Sequence, residues 1–581
     1  MEPDGYVEEL PGTILIYKEN QYAASEHSVL KKDGDIVLQP QPSDDPNDPL
    51  NWNKFRKNWH LVLICLVSLV TGAIANDAGS AQDQMNAELG ISYDAMDNAA
   101  GVLFICVGYF TYLAMPATFL YGRRCVYLVC LLFGMLGSMW FALVKTTSNS
   151  IGNQAFIGIS EACAEALTQF SVSEVFFEHE RGIKIGIYIL STSVGTYLGP
   201  LAAGYIASSQ GWRWIGWWGL IISGITFVLF LFTFEETTFD RAAAIDRKQI
   251  QISNDQLTVK EDFDLKDMQS DIKPDVEKSD AMDDSKMKVD YTVNEISNAV
   301  QPIYSKPSYW KRIALITPAN SLSGIGFRQY IMRLFQTLRI FLFPAVLYSG
   351  LQWGAQDAWL SFYLTTEEED WMEAPYNYGD NAVAIMNVPC IIGATIGCIY
   401  GGYFGDYFTL WAAKRNNGIK EAESRLWLMI LPCIINPIGL FMFGIGTARH
   451  WHWGPTYVGL GFIGFGWGCA GDISMAYLMD AYPGMVLEAM VGVSVINNTF
   501  GYVFTFACQS WIDSLGTERT YISIGVLCFI FIATSFPMIL CGKRLRKWTA
   551  KQYYTFLNVR NRLDEKIPDQ DRRGQDGVES R

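Results

Sequence analysis

Glu161 and Glu165 stand four residues apart in the apolar stretch GISEACAEALTQF, residues 158–170. On a helix that spacing puts both carboxylates on one face, one turn apart. Two carboxylates so placed repel when both ionise, so their titration is coupled and one proton can be retained near neutral pH. Gln154, Gly158, Glu161, Glu165 and Gln169 follow in steps of three and four, which predicts a polar stripe aimed at a cavity. Asp357 follows Trp353 by one turn in SGLQWGAQDAWLSFY, setting an aromatic face beside an acid. That pair suits an alkylammonium group, for which a cation–π term of ~0.5–2 kcal/mol adds to the charge attraction. Asp77 and Asp472 are further acids inside apolar runs, the second among small residues in GCAGDISM, where a gating or proton-relay role is as fitting as substrate contact. Asn387, near Pro389, and Asn497, beside Asn498, offer uncharged hydrogen bonds.

Ionisable groups in hydrocarbon are costly and are read as functional by default. No Lys or Arg falls in the middle of the apolar runs, so the neutralising charge is expected from a bound cation or a proton. A polyamine, whose ammonium groups are separated by short methylene chains, would satisfy one carboxylate in each half of the chain. The alternative is that Glu161 and Glu165 stay protonated and only bond neighbouring helices.

The elements that must hold these groups are membrane spans. Half of the 581 residues are apolar, and runs of about 20 apolar residues recur, the length that crosses ~30 Å of hydrocarbon. The runs predict twelve helices, starting near residues 58, 98, 125, 151, 185, 214, 340, 380, 426, 454, 485 and 520. The expected order is an N-terminal tail (1–57), a six-helix bundle (58–238), a central link of largely disordered composition (239–338), a second six-helix bundle (339–542) and a C-terminal tail (543–581). The fold class is therefore all-α, two pseudo-symmetric six-helix bundles in a membrane, with a site near midplane between them. The polar, acidic N-terminus has no basic segment before a short apolar core, so the first span is expected to act as its own insertion signal.

Basic residues set the expected orientation. KFRK precedes the first span, RR lies between the second and third, Lys420 and Arg425 between the eighth and ninth, and KRLRK follows the twelfth. This predicts cytoplasmic termini and a cytoplasmic central link. On the other side, residues 78–97 carry Asp83, Glu88, Asp94 and Asp97 without Lys or Arg, and TTEEEDWMEAPYNYGD carries only acids. Such a rim would concentrate cations, or the loops simply avoid basic residues. Asp480 and Glu488 are nearer the cytoplasmic side and are expected to serve structural gates.

Other chemistries have little support. The formal charge of −15 argues against a nucleic-acid partner. The twelve cysteines form no C-x-x-C pair and read as small core residues, so neither a disulfide framework nor a metal site is expected. There is no G-x-x-x-x-G-K-[ST] phosphate loop, no cofactor is expected, and the chain does not read as an enzyme. The five histidines lie in tails, loops or span edges and are not expected to carry a coupling proton.

The turns FLYGRRC and GGYFGDYFTLWAAKR resemble the loop motif of the major facilitator superfamily, G-x-L-a-D-r-x-G-r-[KR]. The first copy keeps Gly122, Arg123 and Arg124 but has Tyr121 near the acidic position; the second keeps Gly405, Asp406 and Arg415. GTYLGPLAAGY, with Gly195, Gly199 and Pro200, is similar to the antiporter motif of the drug:proton antiporter branch. NDAGSAQD, GISEACAEA, DNAVAIMNVP and GFGWGCAGDISMAYLMDAYPGMVLE resemble the fungal Hol-type carriers of histidinol, polyamines and monovalent cations. Where the superfamily often has an arginine four residues before the glycine of the fourth span, this chain has Gln154, so the glutamates lack that counterion.

The resemblance implies a plasma-membrane secondary transporter that takes up organic cations. It leads to proton-coupled uptake of cationic amines by alternating access, with the bilayer, protons and the amine as partners and the monomer as the working unit. A multidrug:proton antiporter exporting hydrophobic cations remains open, as does an amine sensor that signals through residues 245–300 of the central link.

Overall fold

The computed structural model describes residues 10–15, 31–33, 36–239, 307–319, 322, 324–372 and 374–564. Residues 245–300, on which a sensor role would rest, lie outside them. Twelve long helices dominate the described residues. In the first half they are α1 (Lys54–Asn76), α2 (Tyr93–Leu120), α3 (Arg123–Ala142), α4 (Thr147–Ala162, carried on through Cys163–Leu167 and Thr168–Val175), α5 (Glu178–Gln210) and α6 (Arg213–Thr233). The second half has α7 (Pro344–Met372), α8 (Asn387–Cys398, Ile399–Phe404 and Gly405–Arg415), α9 (Ile430–Ala448), α10 (Trp453–Ala481), α11 (Val486–Leu515) and α12 (Thr517–Ala533 with Ser535–Asp564). Among the described residues, nine helical stretches are long and apolar enough to cross a membrane, and α7 joined to the bent helix before it makes a tenth. α4 and α10 are not among them: α4 carries the glutamine and glutamate stripe, and α10 is rich in glycine.

The packing pattern repeats after six helices. In the first half α1 packs on α5, α2 on α4 and α3 on α6; in the second half α7 packs on α11, α8 on α10 and α9 on α12. The two halves meet through α2 with α11 and α5 with α8, a pair of contacts that the same repeat exchanges. Small residues permit the closest approaches. A Cβ at Gly195 would sit 2.3 Å from the Leu69 carbonyl oxygen, and one at Gly199 would sit 2.3 Å from that of Ala73. The antiporter-like motif thus lets α5 lie backbone to backbone on α1.

Three stretches differ from the sequence reading. The acids of TTEEED do not form an outer loop: α7 continues to Met372, and Glu367 is 2 % exposed within it. The tail expected from residue 543 is helical as far as Asp564, and its Arg546 is buried against Glu423. The end of the central link also folds. Tyr309–Arg312 is helical and bonds to Phe232 at the end of α6 and to Glu236. Thr317 and Ala319 bond to Tyr121 and Leu120 where α2 turns, and Phe327–Thr337 is helical and bonds to α2. At the same end of the molecule Thr13–Leu15 pairs antiparallel with Ile419–Glu421 and Arg546 donates to the Pro11 carbonyl, so the first and last described elements meet on one face, called here the terminus face.

Candidate functional site

Between the halves lies a cavity of ≈ 1340 Å³ of empty space, counted out to its mouth. Its lining runs from Asn76, Met85 and Asp97, at the end away from the terminus face, inward to Glu161, Glu165, Trp353 and Asp357. Among the described residues four carboxylates line it, and no Lys, Arg or His does. The first half supplies Asp97, Glu161 and Glu165; the second supplies Asp357 from α7. Glu161, Glu165 and Asp357 are close enough to interact electrostatically.

Local structure explains the placement. α4 widens to π-helical winding over Cys163–Leu167, which contains Glu165. Such bulges re-aim side chains and concentrate at functional sites. Glu165 meets the opposite half directly, its Oε1 accepting from Asn497 Nδ2 of α11 at 3.4 Å. Trp467 of α10 donates its indole N–H to Asp357 Oδ1 at 3.1 Å, and its ring lies 4.8 Å from that of Trp353. Asp357 therefore bonds one indole, which packs on a second, and all three line the same cavity as the glutamates.

The remaining sequence candidates separate from this group. Asp77 caps the C-terminal end of α1 and does not line the cavity, although Asn76 and Ala78 do. Asn387 is fully buried outside the lining, donating to Glu367 Oε1 at 3.2 Å and accepting from the Tyr363 hydroxyl at 3.2 Å. Asp472 is buried with neither carboxylate oxygen hydrogen-bonded, packed where Cβ atoms on Gly401, Gly402 and Gly186 would crowd it. Its small neighbours enclose the carboxyl group between α5, α8 and α10. Gln154 lines the cavity as part of the stripe, whereas Gln169 turns away and donates to Met475 Sδ.

Sequence reasoning missed Trp467, Asp97 and Glu367. The signal for Trp467 was present, since an indole N–H in the middle of an apolar helix needs an acceptor. A start of α2 near 98 leaves Asp97 in the preceding loop, whereas the helix begins at Tyr93 and contains it.

The terminus face is closed by charged contacts that cross the halves. Asp406 accepts from the backbone N–H of Ile183 at 2.8 Å and from Arg425 Nη2 at 2.7 Å. Arg425 also meets Asp480 at 3.4 Å, and Lys420 bridges Asp480 at 3.0 Å and Glu178 of α5 at 2.9 Å. Burial alone would lower the Lys420 ammonium, but the Asp480 and Glu178 carboxylates raise it above its ordinary value. This lysine's contribution is thus full at neutral pH and is lost only as pH rises through the raised value. Arg415, matched to the loop motif, stacks on Trp411 instead. In the first motif copy Gly122 has φ +98°, and Glu236 accepts from the N–H groups of Arg123 and Arg124 at 3.2 and 3.1 Å. Arg123 pairs with Glu174 at 2.5 Å. The acid missing at Tyr121 is replaced from the ends of α4 and α6, within one half.

A cavity between pseudo-symmetric halves, open at one face and closed by an ion network at the other, is the architecture of an alternating-access carrier. The sequence matches the profile of the Major Facilitator Superfamily over residues 61–506. The chain belongs to the major facilitator superfamily. Similar proteins include Protein HOL1 of Saccharomyces cerevisiae, 46 % identical over 95 % of this chain and 98 % of that protein. The MFS transporter cpaT of Aspergillus oryzae is 25 % identical over 86 % of this chain and 90 % of its own length. Among solved structures, the superfamily's proton:xylose symporter XylE, bound to 6-bromo-6-deoxy-D-glucose, shares the fold. It aligns with TM-score 0.53 and 12 % identity over 83 % of this chain and 96 % of that one. The protein is a multi-pass membrane protein and a secondary transporter of the superfamily.

Proposed function

We propose that this transporter carries cationic amines, polyamines and histidinol-like compounds among them, by proton-coupled uptake across the plasma membrane. The observation that carries the reading is the cavity lining: Asp97, Glu161, Glu165 and Asp357 without a basic side chain. Carboxylates removed from water require a counter-charge, and here the guest or a proton supplies it. Glu161 and Glu165 on one side and Asp357 with its two indoles on the other match a molecule with ammonium groups at both ends of a methylene chain. One acid of the group keeps a proton while the others meet the ammonium groups, and passage of the cavity to the other side only with both on board couples proton and amine entry. Asp77, Asn387 and Asn497 have supporting roles in this reading, Asn497 by holding Glu165 across the halves. The first and last described elements and the basic loops share one face, which supports cytoplasmic termini and a cavity open to the outside. A single chain contains both halves of the site, so a monomer suffices.

Uptake of labelled spermidine or putrescine into cells lacking other carriers tests the proposal. Concentrative uptake that falls when the pH gradient is collapsed is expected. Replacing Glu165→Gln and Asp357→Asn together should abolish it; uptake and pH response unchanged in that variant would rule out the assigned site.

A further inference from the structure

Residues 307–342 contain Lys311, Arg312, Arg328, Arg333 and Arg339 and not one Asp or Glu, in a chain whose formal charge is −15. The stretch is also unusually apolar at its surface: Trp310 is 72 %, Phe327 75 % and Phe335 68 % exposed. Its last part, Phe327–Leu342, meets α7 at 83°. A segment nearly perpendicular to the span it feeds lies along the membrane plane when that span crosses the bilayer. The turn between them is made by Phe343, in extended conformation, and by Pro344 at the start of α7.

One side of this segment is committed to the protein. Arg333 is buried with its guanidinium over the Phe119 ring, the Leu334 carbonyl accepts from Tyr112 of α2 at 2.8 Å, and Gln336 donates to the Phe556 carbonyl of α12 at 3.0 Å. The segment therefore bridges the two halves at the terminus face. Its other side carries Arg328, Met332, Phe335 and Arg339, spaced four, three and four residues apart and all exposed. Arg312 is engaged with Glu235 at 3.5 Å, whereas Lys311, Arg328 and Arg339 point outward.

We propose that residues 307–319 and 324–342 form a membrane-surface foot that binds anionic lipid headgroups. The apolar side chains enter the boundary between headgroups and acyl chains, and Lys311, Arg328 and Arg339 reach the lipid phosphates and carboxylates above them. A helix with an exposed apolar face and a basic border is selective for anionic leaflets, because local surface potential adds to apolar burial. Because the same helix is pinned to α2 and α12, bound lipid also clamps the two halves at the face that the ion network closes.

Full-length protein purified through mixed micelles of equal phosphatidylserine and phosphatidylcholine, with retained lipid quantified by mass spectrometry, tests this directly. The wild type should retain phosphatidylserine preferentially, and Lys311→Gln/Arg328→Gln/Arg339→Gln should reduce that preference by at least about fivefold. Lys311→Arg/Arg328→Lys/Arg339→Lys should preserve it, which separates charge from misfolding. In nanodiscs, a fluorophore on Phe335→Cys should be quenched more by brominated phosphatidylserine than by the same proportion of brominated phosphatidylcholine, and inorganic phosphate should not reverse this. Equal retention of the two lipids, an unchanged glutamine variant, or a label untouched by brominated chains because solvent or a second copy covers that face would each overturn the proposal.

Discussion

Trp467 reaches Asp357 with a single hydrogen bond of 3.1 Å, and that bond ties the aromatic wall of the cavity to its deepest acid in the second half. Trp467→Phe keeps a ring against Trp353 but removes the donor. A hydrogen bond to a charged group contributes ~1.5–3 kcal/mol, so the variant should raise the KM for the transported amine roughly tenfold or more with protein yield unchanged. Uptake kinetics measure this, and an unaltered KM would show that the indole N–H does not position Asp357 for the guest. The sequence made the acids legible because their spacing is local: Glu161 with Glu165, and Trp353 with Asp357, are one-turn neighbours whatever the tertiary fold. Trp467 escaped because its partner is 110 residues away in the chain. Glu367 was misplaced because a run of acids reads as solvent-facing loop, and only its burial against Asn387 and Tyr363 allows α7 to continue through it. Trp467 and Glu367 share a cause, a side chain satisfied by a partner beyond its own turn, whereas Asp97 depends on where α2 begins.

Helices were more legible than their ends. α1 begins at Lys54, four residues ahead of the expected start, because Asn53 caps it by accepting from the Arg56 N–H at 2.8 Å, a cap that apolar content does not reveal. The π-helical turn around Glu165 and the one at Ile399–Phe404 also have no periodic signature, since they exist to fit α4 and α8 to their neighbours. The role of the antiporter-like glycines, by contrast, can be stated in ångströms. Because a Cβ at Gly199 would lie 2.3 Å from the Ala73 carbonyl oxygen, Gly199→Leu must push α5 off α1. Overpacking of this kind costs ~1–3 kcal/mol or more. The variant should therefore lower the melting temperature of the purified protein and impair transport, whereas an undiminished melting temperature would mean that α1 and α5 are not in backbone contact in the membrane.

At the scale of the whole molecule the two halves form a vessel whose charge is arranged by position. Basic groups gather at the terminus face, where Arg425 and Lys420 join Asp406, Asp480 and Glu178 into a closure across the halves. Among the described residues, the charged side chains lining the cavity are acids. The arginines Arg425 and Arg546 are engaged with acids at the terminus face, and the proposed site leaves Glu161, Glu165 and Asp357 to be neutralised by a proton or a guest. Rocking about the α2 with α11 and α5 with α8 contacts would break that closure and open the same acids to the other side. Equilibrium binding of labelled spermidine to the purified protein tests this charge arrangement most directly, since it needs neither a gradient nor a completed cycle. Saturable binding by the wild type, displaced by other di- and polyamines but not by neutral sugars and lost in Glu165→Gln/Asp357→Asn, is the predicted result; equal binding by the variant, or none by a correctly folded wild type, would contradict it.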